Sequence, residues 1–221
     1  MAFTKENSLT ISSGAPSGNT VYEAINYTDL NVDSIIDDLN TLDQRAPEYD
    51  TIWVPASAMT ATTTNGAEAG IYEYATNDIM MNYYAFDTTT EEYVSFNAVM
   101  PENWDRSTIK AKFYWSSATG SSVADTVEWE ISAGALADST AIDTALGTAQ
   151  VKSDAVLAAN GGDLQITGAT PAITVGGSPA LGNLIHFKIS RNVGGTDDMT
   201  EDAWLFGVVI QYTISNTVAA W

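Results

Sequence analysis

Short runs in which apolar and polar residues alternate occupy most of the chain after residue 50. The most regular runs are EYVSFNAVMP, TIKAKFYW and TVEWEISA. A period of two is typical of a β-strand that buries one face. The positions predicted to face the core are Val94, Phe96, Ala98 and Met100, then Ile109, Ala111, Phe113 and Trp115, then Val127, Trp129, Ile131 and Ala133. Between them, Lys110, Lys112, Tyr114, Glu128 and Glu130 are predicted to face outward, so we expect Trp129→Ala to be costly and Glu128→Ala to cost little.

Further apolar runs are separated by turn-forming clusters such as NGG, VGGSP and NVGG. These runs are TIWV, IMMNYYAF, GTAQVKS, DLQIT, NLIHFKIS and AWLFGVVIQYTI. Together they predict about eight to ten strands, the number that a jelly roll needs. A brief helical segment is predicted around DSTAIDTAL, and no βαβ alternation is present. The predicted fold is therefore all-β, an antiparallel jelly-roll β-sandwich with an N-terminal extended arm and one short α-helix.

Residues 1–50 have a different pattern. SLTISSGAPSGNT is rich in turn formers and predicts an extended arm. In LNVDSIIDDLNTLDQRAP the apolar residues have a helical period, and four of them fit the a and d positions of two heptads: Val32, Ile35, Leu39 and Leu42. This stripe predicts oligomerisation through the helix, with packing on the β-domain of the same chain as the alternative. We assign 1–50 to an attachment arm and short helix, and 51–221 to the β-domain.

The charge balance limits the partners that the chain can bind. Eight Lys and Arg against 28 Asp and Glu give a formal net charge of -20. Such a charge repels phosphate backbones and anionic lipids, so we expect no direct nucleic-acid binding. The chain has no cysteine, which excludes disulfides and thiolate zinc sites. The start, MAFTKENSLT, does not have the pattern of a signal peptide, and no apolar run is long enough for a membrane span. We therefore expect synthesis in the cytoplasm and no membrane insertion.

Three stretches of the β-domain carry a resemblance to a known group of proteins. They are WVPASAM, the turn MPENWD and the segment AIDTALGTA. With the sequence around them, over about residues 51 to 221, they resemble a jelly-roll module of tailed-phage virion proteins that occurs in fibres, head appendages and decoration proteins. The resemblance implies a non-enzymatic structural protein of the virion, made in the host cytoplasm. It also implies a homo-oligomer, with a trimer favoured, anchored to other capsid or tail proteins by its N-terminal arm.

Candidate catalytic residues are few. The single histidine, His186, lies in NLIHFKIS at an outward position, where a surface or interface residue is favoured over a catalytic one. Glu128 and Glu130 share one strand face about 7 Å apart, a separation that a paired-carboxylate glycosidase can use, but alternating Glu is ordinary on a solvated face. We therefore expect no enzymatic activity and no cofactor.

The densest acidic loop is GGTDDMTED. Its carboxylates belong to Asp197, Asp198, Glu201 and Asp202, and oxygen ligands of this type suit Ca²⁺. Their spacing does not match an EF-hand loop, so a solvated loop is the favoured interpretation and calcium the alternative.

Aromatic residues in or near strands suggest an alternative function, the recognition of a host surface glycan. Trp53, Trp104 and Tyr114 are candidates for stacking on sugar rings, since jelly rolls occur in lectin domains. Trp104, in the turn PENWD, is the first choice from sequence and Tyr114 the second. The competing interpretation of Trp104 is a turn residue that folds back over the core edge.

Overall fold

The structure is a computed structural model that describes residues 48–157 and 162–215. The chain divides into two units, Met1–Glu48 and Tyr49–Trp221. The predicted arm and the helical stripe of Val32, Ile35, Leu39 and Leu42 lie outside the described residues, so their roles stay predictions.

Eleven strands and one short 3-10 turn, Ala56–Ala58, form the described part of the β-domain. The strands are β1 (Tyr49–Pro55), β2 (Thr60–Ala61), β3 (Glu68–Tyr74), β4 (Ile79–Phe86), β5 (Tyr93–Val99), β6 (Lys110–Ser117), β7 (Thr126–Leu136), β8 (Gln150–Ala155), β9 (Gln165–Ile166), β10 (Leu184–Arg191) and β11 (Ala203–Thr213). Within the described ranges, no helix has the length and apolar character needed to cross a bilayer.

The strands form two antiparallel sheets. One has six strands in the order β3-β4-β11-β6-β9, with β1 pairing with the second half of β11. The other has five strands in the order β2-β5-β10-β7-β8. The inner faces of both sheets contribute to one hydrophobic core, the arrangement of a jelly-roll β-sandwich. The predicted all-β jelly-roll fold is therefore confirmed.

The core is centred on aromatic side chains. Trp129 of β7 meets Phe86 edge-on at 5.2 Å between ring centroids, stacks on Phe113 at 5.6 Å and lies 6.2 Å from Trp115. All four rings are fully buried. The inward positions predicted in β5, β6 and β7 are confirmed, with Ala98 partly buried against the core and the others buried. Period-two alternation identified these faces because each strand has one side on the core.

Two predictions about local structure are wrong. The strands β2 and β3 were not expected, because β3 reads EAGIYEY and is exposed along most of both faces, which removes the alternation. The segment DSTAIDTAL is not helical but consists of turns and irregular chain, with Ile142 85% exposed. Just after it, the N–H of Gly147 donates to the carbonyl of Ala133 at 2.9 Å, so the backbone is bound to β7 rather than to a helix.

Candidate functional site

The outer face of the six-stranded sheet carries an exposed tryptophan. Trp53 lies on β1, whose inward neighbour Val54 packs in the core, so the Trp53 ring faces outward and is 48% exposed. Its centroid lies 4.9 Å from that of Tyr114 on β6, with an interplanar angle of 76°. The two rings therefore meet edge to face, a favourable geometry for an aromatic pair.

A glycine determines where the Trp53 ring lies. Gly207 of β11 pairs with Pro55 on one side and with Tyr114 on the other. A Cβ atom on Gly207 would overlap the six-membered ring of Trp53, so the ring rests directly on the backbone of β11. The register of β11 against β6 shifts between Leu205 and Gly207, as in a β-bulge. The absence of a side chain at residue 207 thus lets Trp53 reach Tyr114 across an intervening strand.

A groove of about 280 Å³ lies beside this aromatic pair. Its lining residues are Thr51, Lys110, Ala111, Lys112, Tyr114, Ala169, Val209 and Gln211. Cross-strand pairing puts Thr51, Gln211 and Lys110 in one row of the sheet, and Trp53, Val209 and Lys112 in the next. Hydroxyl, amide and ammonium groups therefore stand along one side of an open aromatic ring.

A second aromatic group occupies the same face nearer β3. Tyr83 stacks on Trp204 with 4.4 Å between centroids, and Tyr72 lies 5.3 Å from Trp204 and 4.9 Å from Tyr74. Burial raises the pKa of Tyr74, with a contribution from neighbouring Tyr72. Tyr72 is 43% exposed, whereas the other three rings are only partly exposed and so offer less open surface than Trp53.

Trp104, the first choice from sequence as a sugar contact, is placed differently. It is only 3% exposed and belongs to the hydrophobic core. Its backbone N–H donates to the carbonyl of Pro101 at 3.0 Å, closing the turn that folds the ring inward. No ring face of Trp104 is open to a sugar, which corrects that assignment, whereas Tyr114 does lie beside the groove.

The acidic loop after β10 is anchored by its own carboxylates. Asp197 accepts two hydrogen bonds from Arg191, and Oδ1 of Asp198 accepts from the N–H of Thr126 at 2.5 Å. Burial raises the pKa of Asp202. Calcium requires six to eight oxygen ligands, and within the described ranges no group of three or more His, Asp or Glu side chains is arranged to hold a metal. Glu201 accepts from the Thr200 hydroxyl at 3.1 Å, so three of the four candidate ligands bind the protein itself.

Glu128 does not lie on a solvated face, contrary to the expectation from alternation. The loop after β10 covers it, and it is 6% exposed. Its carboxylate accepts hydrogen bonds from Asn192 at 2.6 Å, from the Thr196 hydroxyl at 2.7 Å and from Ser153 at 3.0 Å. Burial acts to raise the pKa of Glu128, but these hydrogen bonds outweigh it and hold the pKa below its usual value.

Glu130, two residues further along β7, is only partly buried. Burial and the nearby Glu91 raise the pKa of Glu130. The pKa of Glu128 is thus lowered and that of Glu130 raised. Glu128 is enclosed by the loop after β10, so its carboxylate is not accessible to a substrate. This arrangement stabilises the loop and does not resemble a working acid and nucleophile pair.

His186 lies on the outer face of the five-stranded sheet. Its Nδ1 is 2.8 Å from Oδ1 of Asn97 on the paired strand β5. Burial lowers the pKa of His186, with a smaller effect from Lys188. It lines a groove of about 830 Å³ whose other polar groups include Asp138 and Asp143. His186 is thus a surface residue of β10 whose side chain is bound by Asn97 of β5.

Comparisons with known proteins concern the architecture alone. A scan against protein-family models and a search of curated proteins find no match. Among solved structures, similarity is found to the CBM22-1-GH10 modules of Clostridium thermocellum endo-1,4-β-D-xylanase 10B complexed with xylohexaose, at 17% identity and a TM-score of 0.39. The alignment covers 78% of this chain and 29% of the xylanase.

Two further structures are similar over most of their own length. A family 11 carbohydrate-binding module from Clostridium thermocellum, in complex with a mixed-linked tetrasaccharide, has 9% identity and a TM-score of 0.32, covering 78% of this chain and 91% of the module. A Shewanella oneidensis protein of unknown function has 11% identity and a TM-score of 0.32, covering 80% and 91% of the two chains. TM-scores this low do not transfer a ligand-binding role to individual residues.

Proposed function

We propose that the β-domain is a non-enzymatic carbohydrate-binding module whose ligand lies across Trp53 and Tyr114 on the outer face of the six-stranded sheet. The observation that carries the proposal is the position of Trp53. Its ring is 48% exposed, is fixed over Gly207 and stands beside a groove with polar walls.

The chemistry of the groove matches that of a sugar. A pyranose ring has an apolar face of C–H groups and a rim of hydroxyls. An aromatic ring provides the apolar surface on which such a face can stack, and side chains beside it hold the hydroxyls by hydrogen bonds. Gln211 and Thr51 offer both donors and acceptors in one row of the sheet, next to the row that contains Trp53.

The ring is also held in place before a ligand arrives. Trp53 contacts Tyr114 edge to face and rests on the β11 backbone, so little freedom of the side chain is lost on binding. Rigid aromatic side chains of this kind are efficient binding surfaces because the entropic cost of ordering them is small.

The positions of the carboxylates favour binding without catalysis. Glu128 is enclosed by Asn192, Thr196 and Ser153, away from the face that carries Trp53. The lining of the groove contains no Asp or Glu to act as acid, base or nucleophile.

The experiment is a glycan array probed with the full chain, followed by calorimetric titration of the ligand that binds best. Trp53→Ala should weaken that affinity about tenfold or more, the loss expected when one stacked ring is removed. Tyr72→Ala is the matched control, because Tyr72 is an exposed ring of the second aromatic group on the same sheet face. Binding that is unchanged in Trp53→Ala, or an array without any bound glycan, would contradict the proposal.

The virion role implied by the sequence resemblance stays a prediction, as do the trimer and the attachment of residues 1–50 to a particle. A carbohydrate-binding β-domain is consistent with that setting, in which the glycan would belong to the host surface.

A further inference from the structure

We infer that the glycan bound at this groove is acidic, with isolated carboxylate or sulfate groups that contact Lys110 and Lys112. The inference rests on the proposed function and names the class of its ligand. It follows from the distribution of positive charge in a chain whose formal net charge is -20.

Basic side chains are scarce in the β-domain. The described residues include six of them: Arg106, Lys110, Lys112, Lys152, Lys188 and Arg191. Arg191 is fully buried in an ion pair with Asp197. Of the remaining five, two line the same groove of about 280 Å³. In this strongly acidic protein, two of the few accessible basic side chains therefore lie beside the exposed Trp53.

The two lysines have no anionic partner in the described part of the chain. Both are exposed, and they stand two residues apart on β6, which separates them by about 7 Å along one sheet face. The residues that line the groove include no carboxylate. Each ammonium group thus keeps its donors available for an anion from outside.

The position of the lysines relative to the rings sets the spacing of the ligand. Lys112 lies in the same cross-strand row as Trp53, with Val209 between them, and Lys110 lies one row further away. A sugar stacked on Trp53 would extend its substituents toward Lys112, and the next sugar along the groove would reach Lys110. A charged group on either sugar would receive a charge-assisted hydrogen bond, which is stronger than a neutral one.

The large negative charge of the protein limits the charge density of the acidic glycans that can bind at the groove. At physiological ionic strength the screening length is about 8 Å, so a group in contact with a lysine interacts with it more strongly than with distant carboxylates. A densely charged polymer also places many anions beyond the groove, where the acidic surface repels them. We therefore expect uronate, sialylated or sparsely sulfated sugars to bind, and heavily sulfated polymers to bind poorly.

The test uses matched pairs of glycans with the full chain. The members of each pair differ mainly in charge: oligogalacturonate and its methyl ester, a sialylated glycan and its sialic acid methyl ester, a monosulfated galactan oligosaccharide and its desulfated form. The acidic member of the best pair should bind about tenfold or more tightly than its neutral partner. Rising salt should weaken binding of the acidic member and leave the neutral one nearly unchanged.

Variants locate the effect. Lys110→Gln combined with Lys112→Gln should abolish the preference, so that the acidic member binds no more tightly than its neutral partner. Lys188→Gln is the matched control, because Lys188 is on the five-stranded sheet, where its Nζ lies 4.7 Å from the centre of the Tyr93 ring. Trp53→Ala should weaken both members of a pair by similar factors, since stacking does not depend on the charge.

The outcomes separate the two proposals. Equal affinity for both members of every pair would overturn the acidic preference and leave the carbohydrate-binding function in place. An acidic preference that survives the double lysine variant would overturn the assignment to Lys110 and Lys112. An array in which no glycan binds would overturn the proposed function itself.

Discussion

Arg191 and Asp197 form a buried, two-point ion pair at the end of β10. Nε of Arg191 lies 2.8 Å from Oδ2 of Asp197, and Nη2 lies 2.7 Å from Oδ1. The remaining donors of the guanidinium reach the carbonyls of Phe86, Met199 and Glu201. One side chain that is 0% exposed therefore joins the end of β4 to the loop between β10 and β11.

Arg191→Met should destabilise the fold by about 3 to 5 kcal/mol, because it leaves a buried carboxylate without its partner. The double variant with Asp197→Asn should recover part of that loss, since the neutral amide no longer needs a cation and still offers an oxygen to the N–H of Glu128. Free energies of unfolding from urea titration would measure both. If the effects of the two substitutions simply add, the pair is not coupled as the distances indicate.

Trp129→Ala should cost about 3 to 5 kcal/mol, because it removes a fully buried ring from contact with Phe86, Phe113 and Trp115. Trp53→Ala is the matched control, since it removes the same side chain from an exposed position and should cost less than about 1 kcal/mol. Thermal and urea unfolding of both variants would test this, and similar losses would mean that the inner and outer faces are wrongly assigned.

Glu128→Ala should also be costly, at about 2 to 4 kcal/mol, which reverses the expectation from alternation. The substitution removes the shared acceptor of the partly buried donors of Asn192, Thr196 and Ser153, and hydrogen bonds to a charged group contribute more than neutral ones. A Ser153→Ala variant, which removes one of these donors alone, should lose much less. A Glu128→Ala protein as stable as the parent would show that the loop does not depend on this carboxylate.

The stability contributed by Glu128 should depend on pH. Its pKa is lowered in the folded protein, since the hydrogen bonds outweigh the effect of burial. The contribution is therefore complete above the ordinary carboxyl pKa and is lost as the pH falls through the folded value. The difference in unfolding free energy between the parent and Glu128→Gln should shrink over that acidic range.

Glu92→Gln provides a control of opposite sign for that titration. Burial raises the pKa of Glu92, so its charged form is disfavoured in the folded protein and protonation stabilises it. The Gln variant should be as stable as the parent or more so at neutral pH, and this advantage should disappear as the pH falls. If the stability of Glu128→Gln and Glu92→Gln relative to the parent changed with pH in the same direction, the opposite pKa shifts assigned to Glu128 and Glu92 would be contradicted.

Gly207→Ala should weaken glycan binding as much as Trp53→Ala does, although residue 207 does not line the groove. The new methyl group would overlap the Trp53 ring and approach the carbonyl oxygen of Val54 to 2.6 Å, so the ring must leave its position beside Tyr114 and β1 must shift with it. Gly194→Ala is the matched control, because a Cβ there meets only Oδ1 of Asn192 at 3.8 Å. Calorimetric titration would measure the glycan affinity of both variants. Unchanged affinity in Gly207→Ala would show that binding does not depend on the position of the Trp53 ring.

The alternation of residue types was sufficient to predict most strands and the inward faces of β5, β6 and β7. The run IMMNYYAF coincides with β4, and NLIHFKIS lies over β10. This succeeds because a strand in a sandwich has one side on the core, and the cost of exposing large apolar side chains acts at every second residue. It failed for β3, whose faces are both largely exposed and so carry no such pattern.

The sequence by itself thus determined the fold class, the core residues of β5, β6 and β7 and the outward position of Tyr114, Lys110 and Lys112. Only the tertiary structure decided which tryptophan is open and which glutamate is enclosed. The Trp53 ring reaches Tyr114 because β11 brings Gly207 beneath it, and Glu128 is buried because the loop after β10 folds over it. Both depend on contacts between residues far apart in the chain, which a local pattern of polar and apolar positions does not contain.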